Sequence, residues 1–205
     1  MVSKIDVAWD LFLEGKTSEA KKLVEQDFSI DTCTDFSLLN LMGYLLLAEK
    51  DYASCTHIFE KYILLAQQNE DKENEHIGLH QLAMIYRDQG DFHKALKLIE
   101  DEEKIVEEHF PNDNLKKAVN NYEQGYVRFK LNNLDEALAF MNLSLEQSLE
   151  TDDVISQACS YRGLGEIYLA FGDTQLANMH FEKAIELFES VNESEGIKEI
   201  EKLMT

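Results

Sequence analysis

From Ala158 to Val191 the chain reads ACSYRGLGEIYLAFGDTQLANMHFEKAIELFESV. Two helical periods flank one break. Tyr161, Leu164, Gly165, Tyr168 and Leu169 recur at steps of three and four, so they share one helix face. Gly172-Asp173 interrupts the pattern: glycine tolerates a backbone reversal, and Asp173 can cap the helix that follows. Ala177, Phe181, Ala184 and Phe188 then step by four, three and four. Tyr168 and Phe181 are large, whereas Gly165, Ala177 and Ala184 are small, so two backbones can approach while rings fill the space between them. The spacing predicts a helix hairpin that cannot bury its apolar stripe alone.

The rest of the chain supplies neighbours of the same kind. Aligning the small residue that opens each second helix picks out Ala20, Cys55, Ala95, Ala137 and Ala177. Counting back 19 places from each puts repeat starts at Met1, Phe36, His76, Ala118 and Ala158, in steps of 35, 40, 42 and 40 residues. The first unit has Val7, Ala8 and Leu11, the break Gly15-Lys16, then Ala20 and Val24. The second has Leu39, Met42, Gly43 and Leu46, the break Lys50-Asp51-Tyr52, then Cys55 and Phe59. The third has Leu79, Leu82, Ala83 and Tyr86, then Gly90-Asp91, Ala95 and Ile99. The fourth has Gly125, Asn132-Asn133, Ala137 and Met141. Arg128 stands where it should carry an aromatic, and a slightly rotated helix would let Phe129 take the core role.

Tyr161, Leu164, Gly165, Tyr168, Ala177, Phe181 and Ala184 resemble the signature of the tetratricopeptide repeat, with Tyr161 in place of the usual Trp. Repeats of about 40 residues exceed the standard length of about 34, which implies helices longer by about two turns in total. Long repeats of this kind resemble those of the Rap-type and PlcR-type peptide receptors and of kinesin light chains. The Rap-type and PlcR-type proteins carry an N-terminal effector domain, and none is expected here because the first repeat starts at residue 1. The resemblance implies an all-α fold, a right-handed superhelix of about five helix hairpins. A single domain is expected over 1–205, with a short capping helix at about 194–204 carrying Ile197, Ile200, Leu203 and Met204.

Composition agrees with that reading. The 205 residues include one proline, Pro111, and nine glycines, so helix breakers are rare outside the turns. Inter-repeat loops are expected at Thr32–Thr34, Asn69–Asn74 and Phe110–Asn114, and Thr151-Asp152-Asp153 should open the fifth pair. Lys and Arg number 19 against 40 Asp and Glu, a net charge of −21. Phosphate neutralisation needs clustered cations, so nucleic acid is excluded as a partner and anionic membrane surfaces are disfavoured. The acidic runs at 70–75, 100–108, 146–153 and 182–201 read either as a solvated outer face or as a field that attracts a basic partner. Cys33, Cys55 and Cys159 read as buried free thiols of a reducing, cytoplasmic compartment, with Cys55 and Cys159 at small or buried-type repeat positions. No signal run opens the sequence, and no stretch approaches 18 apolar residues.

Beside the core face of each first helix runs a second stripe, at repeat positions 5, 9 and 12. It comprises Ile5, Trp9 and Phe12; Asn40, Tyr44 and Leu47; His80, Met84 and Arg87; Tyr122, Tyr126 and Phe129; Arg162, Glu166 and Leu169. Aromatic rings and arginine forks are the side chains that dominate binding hot spots. The resemblance implies that such positions line a concave groove and contact peptide. The expected protein- or peptide-binding residues are Asn40, Tyr44, His80, Arg87, Tyr122, Tyr126, Phe129, Arg162 and Glu166. The alternative is that these side chains only pack against neighbouring repeats. A clamp for a C-terminal carboxylate would need several Lys and Asn here, and only Asn40 fits.

Catalytic signatures are missing. His76 and His80 are four apart, but Ile77 follows the first where a zinc protease carries Glu. Gly163-Leu-Gly165 follows no strand and lacks a third glycine, and there is no nucleophile elbow and no phosphate-binding loop. The expectation is therefore a non-catalytic scaffold for a protein or peptide ligand, with no cofactor and no metal. A bacterial peptide-sensing or regulatory adaptor is the narrower form of it. The alternative is a structural homo-oligomer that associates through Trp9 and Phe12 or through the C-terminal helix.

Overall fold

A computed structural model describes residues 3–26 and 28–204, and among them the only regular secondary structure is helical. The expected first repeat start, Met1, lies outside the described residues. Eleven helices follow in order: α1 (Lys4–Leu13), α2 (Thr17–Val24), α3 (Phe36–Ala48), α4 (Tyr52–Gln68), α5 (Lys72–Asp88), α6 (Phe92–His109), α7 (Asn114–Lys130), α8 (Leu134–Leu149), α9 (Val154–Phe171), α10 (Thr174–Ser190) and α11 (Ser194–Leu203). The chain forms two compact units, residues 1–98 and 99–205, and α6 crosses the division.

The turns are built alike throughout. Gly15, Lys50, Gly90, Asn132 and Gly172 all adopt positive φ, between 60° and 83°. In each, the left-handed residue donates its N–H to the carbonyl three places back, as Gly172 does to Leu169 at 3.0 Å. The next residue donates to the carbonyl five places back, as Asp173 does to Tyr168 at 3.0 Å. This double bond pattern closes a helix C-terminus and satisfies carbonyls that would otherwise be orphaned. The following helix is then capped by an Asp side chain at Asp51, Asp91 and Asp173, which accept from Ser54, Lys94 and Leu176 N–H. Lys16 and Asn133 stand at the same place without a side-chain cap.

In three of the hairpins a small residue meets a large one. A Cβ added to Gly43 would sit 2.4 Å from the Phe59 ring, and one added to Gly165 would sit 2.5 Å from the Phe181 ring. At Gly125 it would meet the α8 backbone, 3.1 Å from the Met141 nitrogen. In unit 1 the core gathers Ala8, Leu39, Leu45, Cys55, Phe59 and Tyr62. In unit 2, Ala177, Phe181, Ala184, Phe188 and Ile200 form one cluster and Met141, Leu164 and Ile167 another. α11 is held by Ile200, fully buried, and by Gly196, which lies against the Phe188 ring.

Several expectations need correction. The first inter-repeat connection is longer than Thr32–Thr34: α2 ends at Val24 and α3 begins at Phe36. The second is shorter than Asn69–Asn74, because Asp71 accepts from Asn74 N–H and starts α5 there. α7 does not rotate to bury Phe129. Arg128 itself is buried, its guanidinium 4.1 Å from the Phe140 ring and bonded to Gln124 Oε1 at 2.7 Å. Glu100 and Glu136 accept from its other nitrogens at 3.1 and 3.2 Å. A planar cation can replace an aromatic ring when one face stacks and its edges are hydrogen-bonded. Two residues of the acidic runs, Glu75 and Glu102, are buried rather than solvated. Cys55 is buried as expected, with its thiol pushed up to about 12 by burial and by the Asp51 charge, whereas Cys159 is half-buried.

Candidate functional site

The long first helices carry the stripe, and it is described in each unit separately. In unit 1 it begins with an aromatic trio. The Trp9 and Tyr44 rings meet edge-on at 5.8 Å, and Phe12 lies 6.0 Å from Trp9 and 5.9 Å from Tyr44. The Trp9 indole N–H donates to Ser37 Oγ at 3.0 Å. Gln81 Nε2 donates to the Tyr44 hydroxyl at 2.9 Å and so joins α5 to α3. Burial raises the Tyr44 phenol above its ordinary value, against the effect of that hydrogen bond. One turn before Tyr44, Asn40 presents a buried Oδ1 with no hydrogen-bond partner. His80 and Arg87 are half-buried on α5, and the Arg87 Nε lies 3.6 Å from Asp88.

In unit 2 the stripe forms a connected polar and aromatic network. Tyr122 and Tyr126 stack at 6.2 Å with their planes 16° apart. Lys130 lies over both Tyr126 and Phe129, at 4.8 and 4.9 Å from the ring centres. Across from α7, Arg162 Nη2 donates to the Tyr122 hydroxyl at 2.8 Å. Its Nη1 pairs with Glu199 of α11, and its Nε lies 3.7 Å from Glu166, in ion-pair range but too far for a hydrogen bond. Burial raises the Glu166 carboxyl above its usual range, while Arg162 and Lys130 pull it down. Burial likewise pushes up the Tyr122 hydroxyl.

The nine expected residues therefore divide. Asn40, Tyr44, His80 and Arg87 belong to unit 1, and Tyr122, Tyr126, Phe129, Arg162 and Glu166 to unit 2. Arg162 contacts both Tyr122 and Glu166, and its buried Nε makes no hydrogen bond.

Sequence reasoning missed the other end of the same stripe. Leu115, Val119 and Tyr122 of α7, with Ile155 and Cys159 of α9, line a cleft of about 360 Å³; Glu123, Asp153 and Ser156 complete its wall. The signal was present, since 115, 119 and 122 step by four and three, as do 155, 159 and 162. The long helices simply continue the stripe a further two turns toward their N-termini. Lys130 and Glu199 were missed for a different reason: they contact the stripe from positions outside its spacing. Among the described residues no group of three His, Cys, Asp or Glu side chains could hold a metal ion.

Two sequence profiles described as tetratricopeptide repeat match the chain, one over residues 114–190 and one over 79–101. Solved structures share the arrangement at low identity. BtubC (BKLC) from P. vanneervenii superposes with a TM-score of 0.74 at 17% identity, covering 92% of this chain and 80% of that one. A P. anserina kinesin light chain of nearly identical TPR-like repeats gives 0.71 at 16% identity, over 92% of this chain and 94% of its own. MamA (41–end) from Desulfovibrio magneticus RS-1 gives 0.61 at 19%, over 93% and 98%. At these identities the likeness is one of fold. No curated protein sequence matches the chain.

Proposed function

The chain is built of tetratricopeptide repeats, and we propose that it is a non-catalytic scaffold whose stripes bind an extended segment of a protein or peptide. Such repeats in general carry protein interactions rather than catalysis. The observation that supports a bound peptide most directly is the aromatic surface the stripes leave open: Tyr44, Tyr126 and Phe129 are half-buried rather than sealed in the core. Such rings offer rigid apolar area at small entropic cost.

The narrower reading, a bacterial peptide-sensing or regulatory adaptor of the cytoplasm, rests on the resemblance to Rap-type and PlcR-type repeats. No helix among the described residues is long and apolar enough to cross a membrane. Homo-oligomerisation through Trp9 and Phe12 draws less support. Those rings pack on Tyr44, and the indole N–H is already bonded to Ser37.

The test is recovery of a partner from the host's own lysate by the wild-type chain, by Asn40→Ala, by Arg87→Ala and by Tyr126→Ala. All four should give the same circular dichroism spectrum. At least one variant should recover tenfold less of the same partner. Equal recovery by all four would overturn the stripe as the binding surface.

A further inference from the structure

Unit 2 has a second cleft, which shares no residue with the stripe. It encloses about 330 Å³ and is lined by Glu103, Val106 and Glu107 of α6, Lys117 and Asn121 of α7, and Gln147 of α8. Its charges are held apart. Close by on the same helices, opposite charges meet: Lys104 pairs with Asp101 at 2.7 Å and Lys116 with Asp113 at 3.4 Å. In the cleft they do not. Lys117 Nζ donates to the Pro111 carbonyl, a neutral acceptor that leaves its charge unmatched. Neither the Glu103 nor the Glu107 carboxylate has an ion-pair or hydrogen-bond partner among the described residues. Asn121, only 9% exposed, donates from Nδ2 to Gln147 Oε1 at 2.8 Å. That bond leaves Asn121 Oδ1 and Gln147 Nε2 without a partner among the described residues. Two anions, one cation, one acceptor and one donor thus line one space.

We propose that this cleft binds a free basic amino acid, with its two cationic groups at Glu103 and Glu107 and its carboxylate at Lys117. Every charge then has a counterpart: two cations for two carboxylates, and one carboxylate for one ammonium. Glu103 and Glu107 stand one turn apart on α6 and so share a helix face. The amide pair serves both ends of such a ligand, because Asn121 Oδ1 accepts from an ammonium and Gln147 Nε2 donates to a carboxylate. Hydrogen bonds between ionised groups are the strong ones, and complementary charge gives selectivity. The volume lies near the lower end of ligand-site sizes, roughly 300–1,000 Å³, which suits a small molecule. A diamine has nothing to offer Lys117, and an acidic amino acid sets a like charge against Glu103 and Glu107. No residue of the site belongs to the stripes, so it stands whether or not they bind peptide.

The probes are L-lysine, L-arginine, Nα-acetyl-L-lysine, 1,5-diaminopentane and L-glutamate. Each is titrated by calorimetry into the full chain, with side-chain amide spectra of the ¹⁵N-labelled protein recorded in parallel. L-lysine or L-arginine should bind with a Kd below about 10 mM and shift the Asn121 and Gln147 amide signals. Nα-acetyl-L-lysine lacks the α-ammonium and 1,5-diaminopentane lacks the carboxylate. Each should bind about fivefold more weakly than L-lysine, the loss expected for one partly exposed ion pair. L-glutamate should bind more weakly still. Glu107→Gln changes an exposed side chain, so it should keep the circular dichroism spectrum while weakening L-lysine about fivefold. In Lys117→Gln the difference between L-lysine and 1,5-diaminopentane should disappear. Kd values above about 10 mM for both basic amino acids would overturn the proposal. So would 1,5-diaminopentane or L-glutamate binding as tightly as L-lysine, an unchanged affinity in Glu107→Gln, or shifts that spare Asn121 and Gln147. No peptide enters these titrations, so none of the outcomes bears on the stripes.

Discussion

Arg162 of α9 donates from Nη2 to the hydroxyl of Tyr122 of α7 at 2.8 Å, and the two residues hold the same position in successive repeats, 40 places apart. The bond ties neighbouring hairpins together through the stripe rather than through the core. Tyr122→Phe keeps the ring stacked on Tyr126 and removes only the acceptor. It should lower stability by about 1.5–3 kcal/mol, the usual net worth of a bond to a charged group. Urea unfolding of the two proteins reads this directly, and an unchanged midpoint would show that water replaces the hydroxyl without loss.

Gly165→Ala should destabilise by about 1–3 kcal/mol through overpacking. The new methyl would lie 2.5 Å from Phe181, a ring with no exposed surface in which to move. Phe181→Leu in the same chain shortens the opposing side chain. The double variant should therefore lose less than the sum of the two single losses. Strict additivity would place the strain elsewhere.

Lys50 occupies a left-handed turn, φ 60°, where the matching residues of three other hairpins are glycine. A side chain in that conformation costs about 1–2 kcal/mol, part of which glycine returns through its freer unfolded chain. Lys50→Gly should raise stability by about 0.5–1 kcal/mol, and Gly90→Lys should lower it by a similar amount. Opposite signs in thermal unfolding would refute the argument.

Two helix caps contribute to the acid limb of stability. The Asp71 carboxyl is held below the ordinary 3.8 by the Asn74 backbone N–H and then by the Asn74 side chain. Asp113 is lowered by the Lys116 backbone N–H. A depressed carboxyl contributes stability that is present above its unfolded value and lost as pH falls below it. Glu166 has the opposite sign: burial raises it above 4.5, so its contribution is present in acid and is lost as pH rises through the folded value. Asp71→Asn with Asp113→Asn keeps both caps and should flatten the urea midpoint between pH 4 and pH 3. Glu166→Gln should instead raise the midpoint at pH 7 relative to pH 4. Unaltered slopes in both would remove these groups from the linkage.

The hairpins were legible because their signals are local. Gly172-Asp173 states a turn and a cap in two adjacent residues, and Gly165 with Phe181 states the packing across it. Register failed where a tertiary partner decides. Nothing adjacent in sequence reveals that Glu100, Glu136, Gln124 and the Phe140 ring together accommodate Arg128 in place of an aromatic. The stripe was legible as a periodicity, but its occupancy was not. Glu199 reaches Arg162 from a helix 37 residues further along, and only the packing of α11 brings it there. The cleft of Leu115 and Ile155 went unread because the repeat signature begins after both residues.

The turn geometry also acts as a ruler. From the small residue of the first helix to the left-handed residue is seven places in every hairpin: 8 to 15, 43 to 50, 83 to 90, 125 to 132 and 165 to 172. From there to Val24, Phe59, Ile99, Met141 and Phe181 is nine. The variation in the 35-, 40- and 42-residue steps falls outside these spans, in the outer ends of the helices and the joints between hairpins. Length can therefore be added or removed at Phe110–Asp113 or Glu150–Asp153 without disturbing the gauge on which each pair closes. Evolution or a designer can respace the modules there while leaving every hairpin's internal pairing untouched.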